Sequence, residues 1–452
     1  MLKSKKDTFF QDISTDVENG NNINWQRFKK LKNVKQEDTK LDAFDMINFC
    51  NFFKDLYGKP TLSQERIAEF VKCSDSEMPS EKSCDEFLDR EITMEEIKEC
   101  IRASKRGKAV SEDLISNEML KASGHDLLCG IRNLFNQCLT HGTYPWNTSV
   151  VTPLHKKGSV YDPNNYRAIA VASNLGKLFS SILLQRLIVF RNDTVNQLGF
   201  CKNSQTADHI LTLSTCVEKY VKQSKGKLYC CFVDYSKAFD TVCREALLYK
   251  LWKMGIKNRF FNCLEHMYNN SSAKVKLLGK LSDIIEIHCG TEQGHPLSPE
   301  LFKCFIHDLS EQLNNLTTGN VPELSGKKIS HLLWADDLVL MALDGDTLQN
   351  LLNILLEYCN QWGLSVNISK TAVMIFNRSS RVLNESHNFK LGNICIPSAK
   401  EYTYLGITFS LNGALSRAQN LLRQKALRSF FALRKTVDFN PHGGGLAKSH
   451  QI

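Results

Sequence analysis

Two adjacent carboxylates, Asp336 and Asp337, lie at the centre of the segment 331–341. Apolar residues flank them on both sides, and this pattern predicts a tight β-hairpin with the acids at its turn. Like charges repel at the edge of an apolar body, so the pair requires a cation, and carboxylate oxygens suit Mg²⁺. Asp-Asp is also ordinary turn chemistry. The hairpin alone therefore leaves a metal site and a plain turn both open.

A third carboxylate, Asp234, follows an apolar run 102 residues before Asp336. The run 228–233 predicts a strand, after which the pattern becomes helical through Leu251. The carboxyl end of a strand is a common place for a functional carboxylate. The alternative is that Asp234 caps the N-terminus of the following helix.

Two other segments have the composition of substrate-contacting loops. Residues 290–299 form a Gly/Pro-rich loop that leads into a helix, and such loops let a substrate approach the backbone closely. Upstream, residues 150–154 and 166–171 predict paired strands joined by a loop. Lys156, Lys157 and Arg167 on this pair are suited to clamp phosphates, and a solvated hairpin tip is the alternative.

The elements that must position these residues alternate between helical and strand patterns. A capping box at 93–96 opens one helix, and further helices are predicted at about 127–139, 176–190 and 348–362, the last ending at Gly363. Strands are predicted at 373–376 and 402–409. Near the N-terminus we predict an amphipathic helix at 25–34 and a linker at 72–90.

Composition indicates a soluble globular protein of two or three domains, with 452 residues, 42% hydrophobic and 23% charged. A secretory signal and an apolar run of membrane-spanning length are both absent, so we expect an intracellular protein, nuclear or cytoplasmic, without membrane contact. The 16 cysteines include no C-x-x-C pair, which excludes a zinc ribbon and indicates free thiols in a reducing compartment.

The net charge of +9 is compatible with a polyanionic partner. Most of this excess lies after residue 410, where a predicted helix at about 414–435 carries basic residues and no acid. Either this helix contacts nucleic acid or its basic residues form an ordinary solvated face.

Taken in order, these motifs resemble the reverse transcriptase of non-LTR (LINE-type) retrotransposons, over about residues 90–435. The matching segments are 232–240, 293–299, 334–337, 363–371 and 404–406, with 153–158, 165–167 and 197–200 upstream.

The resemblance implies an α+β right-hand polymerase with fingers, a palm built on an antiparallel sheet with packed helices, and a partial thumb. We expect an N-terminal helical and linker region (1–90), an N-terminal extension of the fingers (91–150), fingers and palm (151–410), a partial thumb helix (411–440) and a disordered tail (441–452). Neither the endonuclease domain nor the Cys/His knuckle of the family is recognisable in the sequence.

The activity implied is RNA-directed DNA synthesis by two-metal-ion nucleotidyl transfer, with an RNA template, a DNA primer and dNTPs as partners. Two Mg²⁺ ions, or Mn²⁺ in their place, would bind at the catalytic carboxylates Asp234, Asp336 and Asp337. The residues implied to bind the nucleotide are Lys157, Arg167, Tyr235, Phe239, Gln293, Gly294 and Lys370. Those expected to bind nucleic acid are Arg417, Arg423, Lys425 and Arg428.

This chain departs from the family pattern at several positions. Glu292 and His295 stand where the family usually has Arg and Cys, and Trp334 replaces a Tyr or Phe. Glu292 puts an acid near the expected substrate path. The departures keep open an alternative in which the chain is a catalytically inactive, truncated remnant that at most binds nucleic acid. An RNA-dependent RNA polymerase is disfavoured by Ala335 before the acids and by the bulky Phe239.

Overall fold

A computed structural model describes residues 43–58, 62–76, 86–191, 199, 204–277, 279–292, 294–315, 320–379 and 388–436. The chain divides into two compact units, Met1–Asn48 and Phe49–Ile452. Of the unit Met1–Asn48, only residues 43–48 are described. The described strands, and every described helix that begins after residue 48, belong to the unit Phe49–Ile452. The predicted helix at 25–34, the tail at 441–452 and Gln293 lie outside the described residues.

Helices make up much of the described part of the chain. In chain order they are α1 (Ala43–Gly58), α2 (Gln64–Ser76), α3 (Glu86–Asp89), α4 (Met94–Ala103), α5 (Asn117–Lys121), α6 (His125–His141), α7 (Asn174–Arg191), α8 (Thr206–Val217), α9 (Arg244–Lys253), α10 (Asn258–Asn269), α11 (Ser298–Asn314), α12 (Gly345–Trp362) and α13 (Ser416–Thr436). A short 3₁₀ helix lies at Pro163–Asn165, and α8 continues as a π-helix over Glu218–Gln223. No helix among them is long and apolar enough to cross a membrane.

Strands of two to eight residues lie between these helices. In chain order they are β1 (Thr148–His155), β2 (Tyr166–Val171), β3 (Leu228–Val233), β4 (Ser272–Leu277), β5 (Lys280–Leu281), β6 (Ile285–Glu286), β7 (Glu323–Leu324), β8 (Lys327–Lys328), β9 (His331–Trp334), β10 (Asp337–Ala342), β11 (Ala372–Phe376), β12 (Lys390–Leu391), β13 (Ile394–Cys395), β14 (Glu401–Tyr404) and β15 (Ile407–Ser410).

Two sheets form the framework of the second unit. One sheet has the order β11-β3-β10-β9, and each neighbouring pair in it is antiparallel; we refer to it as the palm sheet, after the region expected from the resemblance. The other has the order β2-β1-β4-β5, with β6 also paired to β4, and we refer to it in the same way as the fingers sheet. Together with the packed helices, these sheets confirm the predicted α+β class with an antiparallel sheet.

Both faces of the palm sheet are buried, which explains why β3 and β10 are apolar at nearly every position. Alternate residues point to opposite faces of a strand. On β3, Cys231 and Val233 join a core cluster with α9, α11 and α12. Cys230 and Phe232 face a second cluster, which includes the π-helix and the β14–β15 hairpin. Every side chain of β3 is therefore buried.

Several predicted helix boundaries are confirmed. Thr93 caps α4 with a complete capping box, and α12 ends at Gly363, whose φ of 73° is the left-handed conformation that glycine adopts readily. The helix after Asp234 begins later than the sequence indicates, at Arg244. Residues 235–243 form turns instead, so the alternative that Asp234 caps this helix is wrong.

The predicted linker at 72–90 is wrong in part, since α2 extends to Ser76 and α3 lies at Glu86–Asp89. A buried arginine of α7, Arg186, holds this segment. It donates to both carboxylate oxygens of Glu96, at 2.9 and 3.0 Å, and to the carbonyl oxygens of Leu88, Arg90 and Glu91 at 2.8, 2.7 and 3.1 Å. These contacts use all five N–H donors of the guanidinium. Burial alone raises the pKa of Glu96, but the hydrogen bonds and charge of Arg186 outweigh it and leave that pKa lowered.

We predict that Arg186→Ala lowers the free energy of unfolding by about 3–5 kcal/mol, because it removes the buried ion-pair partner of Glu96 and the donor to three carbonyl oxygens. Arg90→Ala is the matched control. Arg90 contacts the same carboxylate at 3.3 Å but is 41% exposed, so its loss should cost less than about 1 kcal/mol. Urea denaturation of the two variants tests this, and equal costs would contradict the role of Arg186.

Candidate active site

Three carboxylates converge at one end of the palm sheet. Asp234 directly follows β3, Asp336 lies in the turn between β9 and β10, and Asp337 is the first residue of β10. The register places Leu338 of β10 opposite Val233 of β3, so the acids extend from neighbouring strand ends. The predicted β-hairpin is confirmed, and folding brings together residues that are 102 positions apart in the sequence.

The hairpin turn holds a strained residue. Ala335 has a φ of 56°, in the left-handed region that costs a non-glycine residue about 1–2 kcal/mol. A two-residue hairpin needs positive φ at its first central position, where glycine is preferred. Pairing of Asp337 with Trp334 and of Leu338 with Leu333 holds the turn in this form. The paired strands thereby fix the direction in which the Asp336 side chain projects.

The acids perturb one another. Desolvation, followed by the charge of Asp234, raises the pKa of Asp336, while Arg167 and Lys370 oppose the shift. Desolvation and the charges of Asp336 and Asp234 raise the pKa of Asp337 to about 6. Such a cluster favours any cation that approaches it.

A turn that contains Lys370 surrounds Asp234. The backbone N–H of Asn367 donates to the carbonyl oxygen of Asp234 at 2.7 Å, and the N–H of Asp234 donates to the hydroxyl of Thr371 at 3.2 Å. The ammonium nitrogen of Lys370 lies 3.4 Å from Oδ2 of Asp234. The same Oδ2 is buried and accepts no hydrogen bond from the described residues.

These residues fit a divalent cation of the Mg²⁺ type. In the part of the chain that the structure describes, no group of three or more His, Cys, Asp or Glu side chains is arranged to hold a metal. Mg²⁺, however, commonly binds proteins through one or two carboxylates and takes its other ligands from water and substrate phosphates. Oδ2 of Asp234, which accepts no hydrogen bond from the described residues, and the carboxylate of Asp336, which the charge of Asp234 repels, are suitable oxygen ligands.

The fingers sheet directs basic residues toward the acids. Arg167 on β2 is exposed, and its charge acts on Asp336. Lys157 is exposed in the loop after β1 and makes no hydrogen bond or ion pair with the three acids in the described structure. Burial and the charge of Arg167 lower the pKa of its neighbour Lys156, while the charges of Asp240 and Asp234 oppose the shift.

Tyr235 and Phe239 lie in the segment that follows β3 and Asp234. Tyr235 is buried, pairs with Val366, and its hydroxyl has no hydrogen-bond partner among the described residues. Phe239 is half-buried in a turn, outside the helix predicted for it, and its ring stacks on Phe302 with centroids 4.5 Å apart.

The Gly/Pro-rich loop packs against the fingers at Gly294. This residue has a φ of 105°, and a Cβ there would lie 3.0 Å from the carbonyl oxygen of Ala170 on β2. Only glycine allows this approach without strain.

From the sequence we expect Glu292 to put an acid near the substrate path. Its side chain lines small interior cavities beside Arg244 and His295. Burial raises the pKa of Glu292 to about 7, and the charges of Arg244 and Lys177 oppose the shift. His295 is buried and contacts Tyr144 and Ser180 at 3.3 and 3.1 Å.

The basic residues of α13 lie on an exposed helix. Arg417 pairs with Glu401 at 2.5 Å, whereas Arg423, Lys425 and Arg428 are exposed. The structure therefore brings Asp234, Asp336, Asp337, Arg167 and Lys370 into one electrostatic cluster, and α13 is a separate basic element.

Comparison with known proteins identifies this arrangement. Residues 154–409 match the family model described as reverse transcriptase (RNA-dependent DNA polymerase). The chain is 27% identical over 331 residues to the RNA-directed DNA polymerase from mobile element jockey of Drosophila funebris, covering 70% of this chain and 35% of that protein. It is also 27% identical over 341 residues to the Pol polyprotein of the type-1 retrotransposable element R2 of Nasonia vitripennis, covering 74% and 32%.

The chain thus spans about a third of the length of these curated relatives. A solved structure of an apo telomerase from Candida tropicalis, truncated from its C-terminal domain, is similar with a TM-score of 0.41 and 15% identity, covering 68% of this chain and 62% of that one. This weak similarity adds nothing to the assignment. The family match and the curated relatives show that the chain belongs to the reverse transcriptase (RNA-dependent DNA polymerase) family, and its resemblance to the enzymes of non-LTR retrotransposons is confirmed.

Proposed function

We propose that this chain catalyses RNA-directed DNA synthesis, extending a DNA primer on an RNA template with dNTPs. The observation that carries the proposal is the convergence of Asp234 and Asp336 at one sheet edge, with Lys370 3.4 Å from Asp234. The family and the names of the relatives support the reaction class.

In this proposal Asp234 and Asp336 hold two divalent ions, with Asp337 beside them. The chemistry that such ions would supply is activation of the primer 3′-hydroxyl and stabilisation of the triphosphate and its leaving oxygen. Lys370 would donate a proton to the departing pyrophosphate. Arg167 and Lys157 would bind the triphosphate.

The remaining nucleotide contacts belong to the segments after β3 and before α11. The backbone carbonyl of Tyr235 would add a metal ligand, and Gln293 and Gly294 would line the nascent base pair. Phe239 would pack beneath the sugar and exclude a 2′-hydroxyl. Arg417, Arg423, Lys425 and Arg428 of α13 would contact the template-primer duplex.

We predict that Asp234→Asn and Asp336→Asn each reduce Mg²⁺-dependent primer extension by at least about 100-fold, since even residues that only orient a metal ligand are worth 10–100-fold. Asp283→Asn, a change at an exposed carboxylate in a loop of the fingers, is the control and should leave extension unchanged. Circular dichroism should show all three variants folded. Normal extension by either active-site variant would refute the assignment.

The same assay separates the enzyme from an inactive remnant. If the wild-type chain binds template-primer yet fails to extend it with either Mg²⁺ or Mn²⁺, the chain is a nucleic-acid-binding remnant and the proposal is wrong.

A second prediction concerns α13. We expect weak binding to template-primer, with low processivity and a steep dependence on salt, because exposed cations bind by releasing counterions. Replacing Arg423, Lys425 and Arg428 by Gln should reduce the slope of log K against log salt by about 0.7–0.9 per residue.

The matched control replaces Lys280, Lys327 and Lys328 by Gln, which removes the same charge from exposed strands elsewhere. This control should leave the slope nearly unchanged. Tight binding that scarcely varies with salt, or equal slopes for both triple variants, would contradict the role of α13.

A third prediction tests Phe239 as a steric gate. Phe239→Ala should raise ribonucleotide use relative to deoxynucleotide use by at least about 10-fold, since one group in a pocket is worth roughly 10–200-fold in discrimination. The measurement is the ratio of kcat/KM for the two sugars.

Phe302→Ala is the packing control, because it removes the stacked partner of Phe239 from the buried side. It should lower stability and leave the sugar ratio unchanged. If Phe239→Ala also lowers both activities together at constant ratio, the residue is a core aromatic and not a gate.

A further inference from the structure

Tyr402 on β14 contacts two parts of the site, and the proposed function gives this residue no role. Its ring stacks on Phe232 of β3, with centroids 4.4 Å apart and an interplanar angle of 12°. Its hydroxyl donates to the backbone carbonyl oxygen of Lys370 at 3.2 Å. Phe232 lies two residues before Asp234 on the same chain segment. One side chain thus joins the strand that carries Asp234 to the turn that carries Lys370.

The other contacts of this turn come mostly from within it or from Asp234. The N–H groups of Lys370 and Thr371 donate to the carbonyl oxygen of Asn367 at 3.1 and 2.9 Å. Thr371 also accepts the N–H of Asp234. The hydroxyl of Tyr402 differs, because it reaches the carbonyl of Lys370 from the separate β14–β15 hairpin.

Lys370 needs such a support. Its side chain is 66% exposed, and its ammonium contacts Asp234 at 3.4 Å. A long, solvated lysine side chain samples many rotamers, so a fixed backbone origin limits where its ammonium can lie. Small displacements of a reacting group cost rate steeply, since a shift of about 1 Å can cost roughly 100-fold.

The Tyr402 phenol is a hydrogen-bond donor at neutral pH, as a tyrosine with its ordinary pKa of about 10 also is. Burial first, and then the charges of Asp234 and Asp337, raise the pKa of Tyr402 to about 12. The phenol is therefore protonated at neutral pH and able to donate to the carbonyl oxygen of Lys370.

We propose that Tyr402 is a positioning residue, whose hydroxyl fixes the peptide carbonyl of Lys370 and so holds the lysine ammonium at Asp234. This inference rests on the proposed function, in which Lys370 acts on the nucleotide. The competing explanation is that Tyr402 is only a packing aromatic, for which the stack on Phe232 would suffice and the hydroxyl would be dispensable.

Tyr402→Phe separates the two explanations, because it keeps the ring and removes the hydroxyl. We expect kcat for primer extension to fall roughly 3- to 10-fold, the worth of one hydrogen bond, with KM for dNTP unchanged. The control is Thr403→Val, which removes a hydroxyl from the next residue on the exposed face of the same strand. That hydroxyl pairs with Thr408 at 2.8 Å, and its loss should leave kcat unchanged.

A double-mutant cycle shows whether Tyr402 acts through Lys370. In a Lys370→Met background, Tyr402→Phe should cause no further loss of kcat. If Lys370→Met alone leaves extension normal, the proposed role of Lys370 fails. Two outcomes would contradict the inference about Tyr402 where Lys370→Met itself impairs extension. In the first, Tyr402→Phe leaves extension normal. In the second, Tyr402→Phe lowers kcat equally in the wild-type and Lys370→Met backgrounds.

A measurement that does not need activity completes the test. Hydrogen–deuterium exchange of the segment 367–371 should be faster in Tyr402→Phe than in wild type, and unchanged in Thr403→Val. Equal exchange in wild type and Tyr402→Phe would overturn the proposal even if the wild-type protein fails to extend a primer.

Discussion

Repulsion among three carboxylates at the end of a buried sheet is the constraint on which the rest of the structure depends. Two like charges a few ångströms apart near a protein surface repel by roughly 1–4 kcal/mol. Each apolar side chain buried on β3 and β10 contributes about 1.5–3 kcal/mol in the opposite direction. With both faces of the palm sheet covered, apolar burial outweighs the repulsion and holds Asp234, Asp336 and Asp337 together.

Parts of the chain that are distant in sequence reduce this repulsion. Arg167 lies on the fingers sheet and Lys370 lies in the turn after α12. The charge of each opposes the rise in the pKa of Asp336. Backbone hydrogen bonds between Asp234 and the 367–371 turn fix one of these cations close to the acids. The geometry of the candidate site and its charge balance thus depend on the same contacts.

The departures from the family pattern are accommodated by their surroundings. Glu292 faces interior cavities near Arg244, and His295 bonds to Tyr144 and Ser180 inside the protein. The Trp334 ring packs edge-on against His209 with centroids 5.5 Å apart. His295 and Trp334 thus have direct partners, and the charges of Arg244 and Lys177 stabilise the Glu292 carboxylate.

Local sequence determined the elements that carry the acids. The apolar runs of β3 and β10, the two-residue turn at Asp336 and the glycine after α12 were predictable, because periodicity and turn chemistry act between near neighbours. The start of α9 at Arg244 was not, since the turns at 235–243 bond to residues of the later segments 290–291 and 365–367. Packing between distant segments also decided that Arg186 holds α3 and that Glu292 lines interior cavities beside Arg244. Those outcomes depend on side chains that are distant in sequence, such as Arg186 and Glu96, 90 positions apart, and no local pattern encodes such contacts.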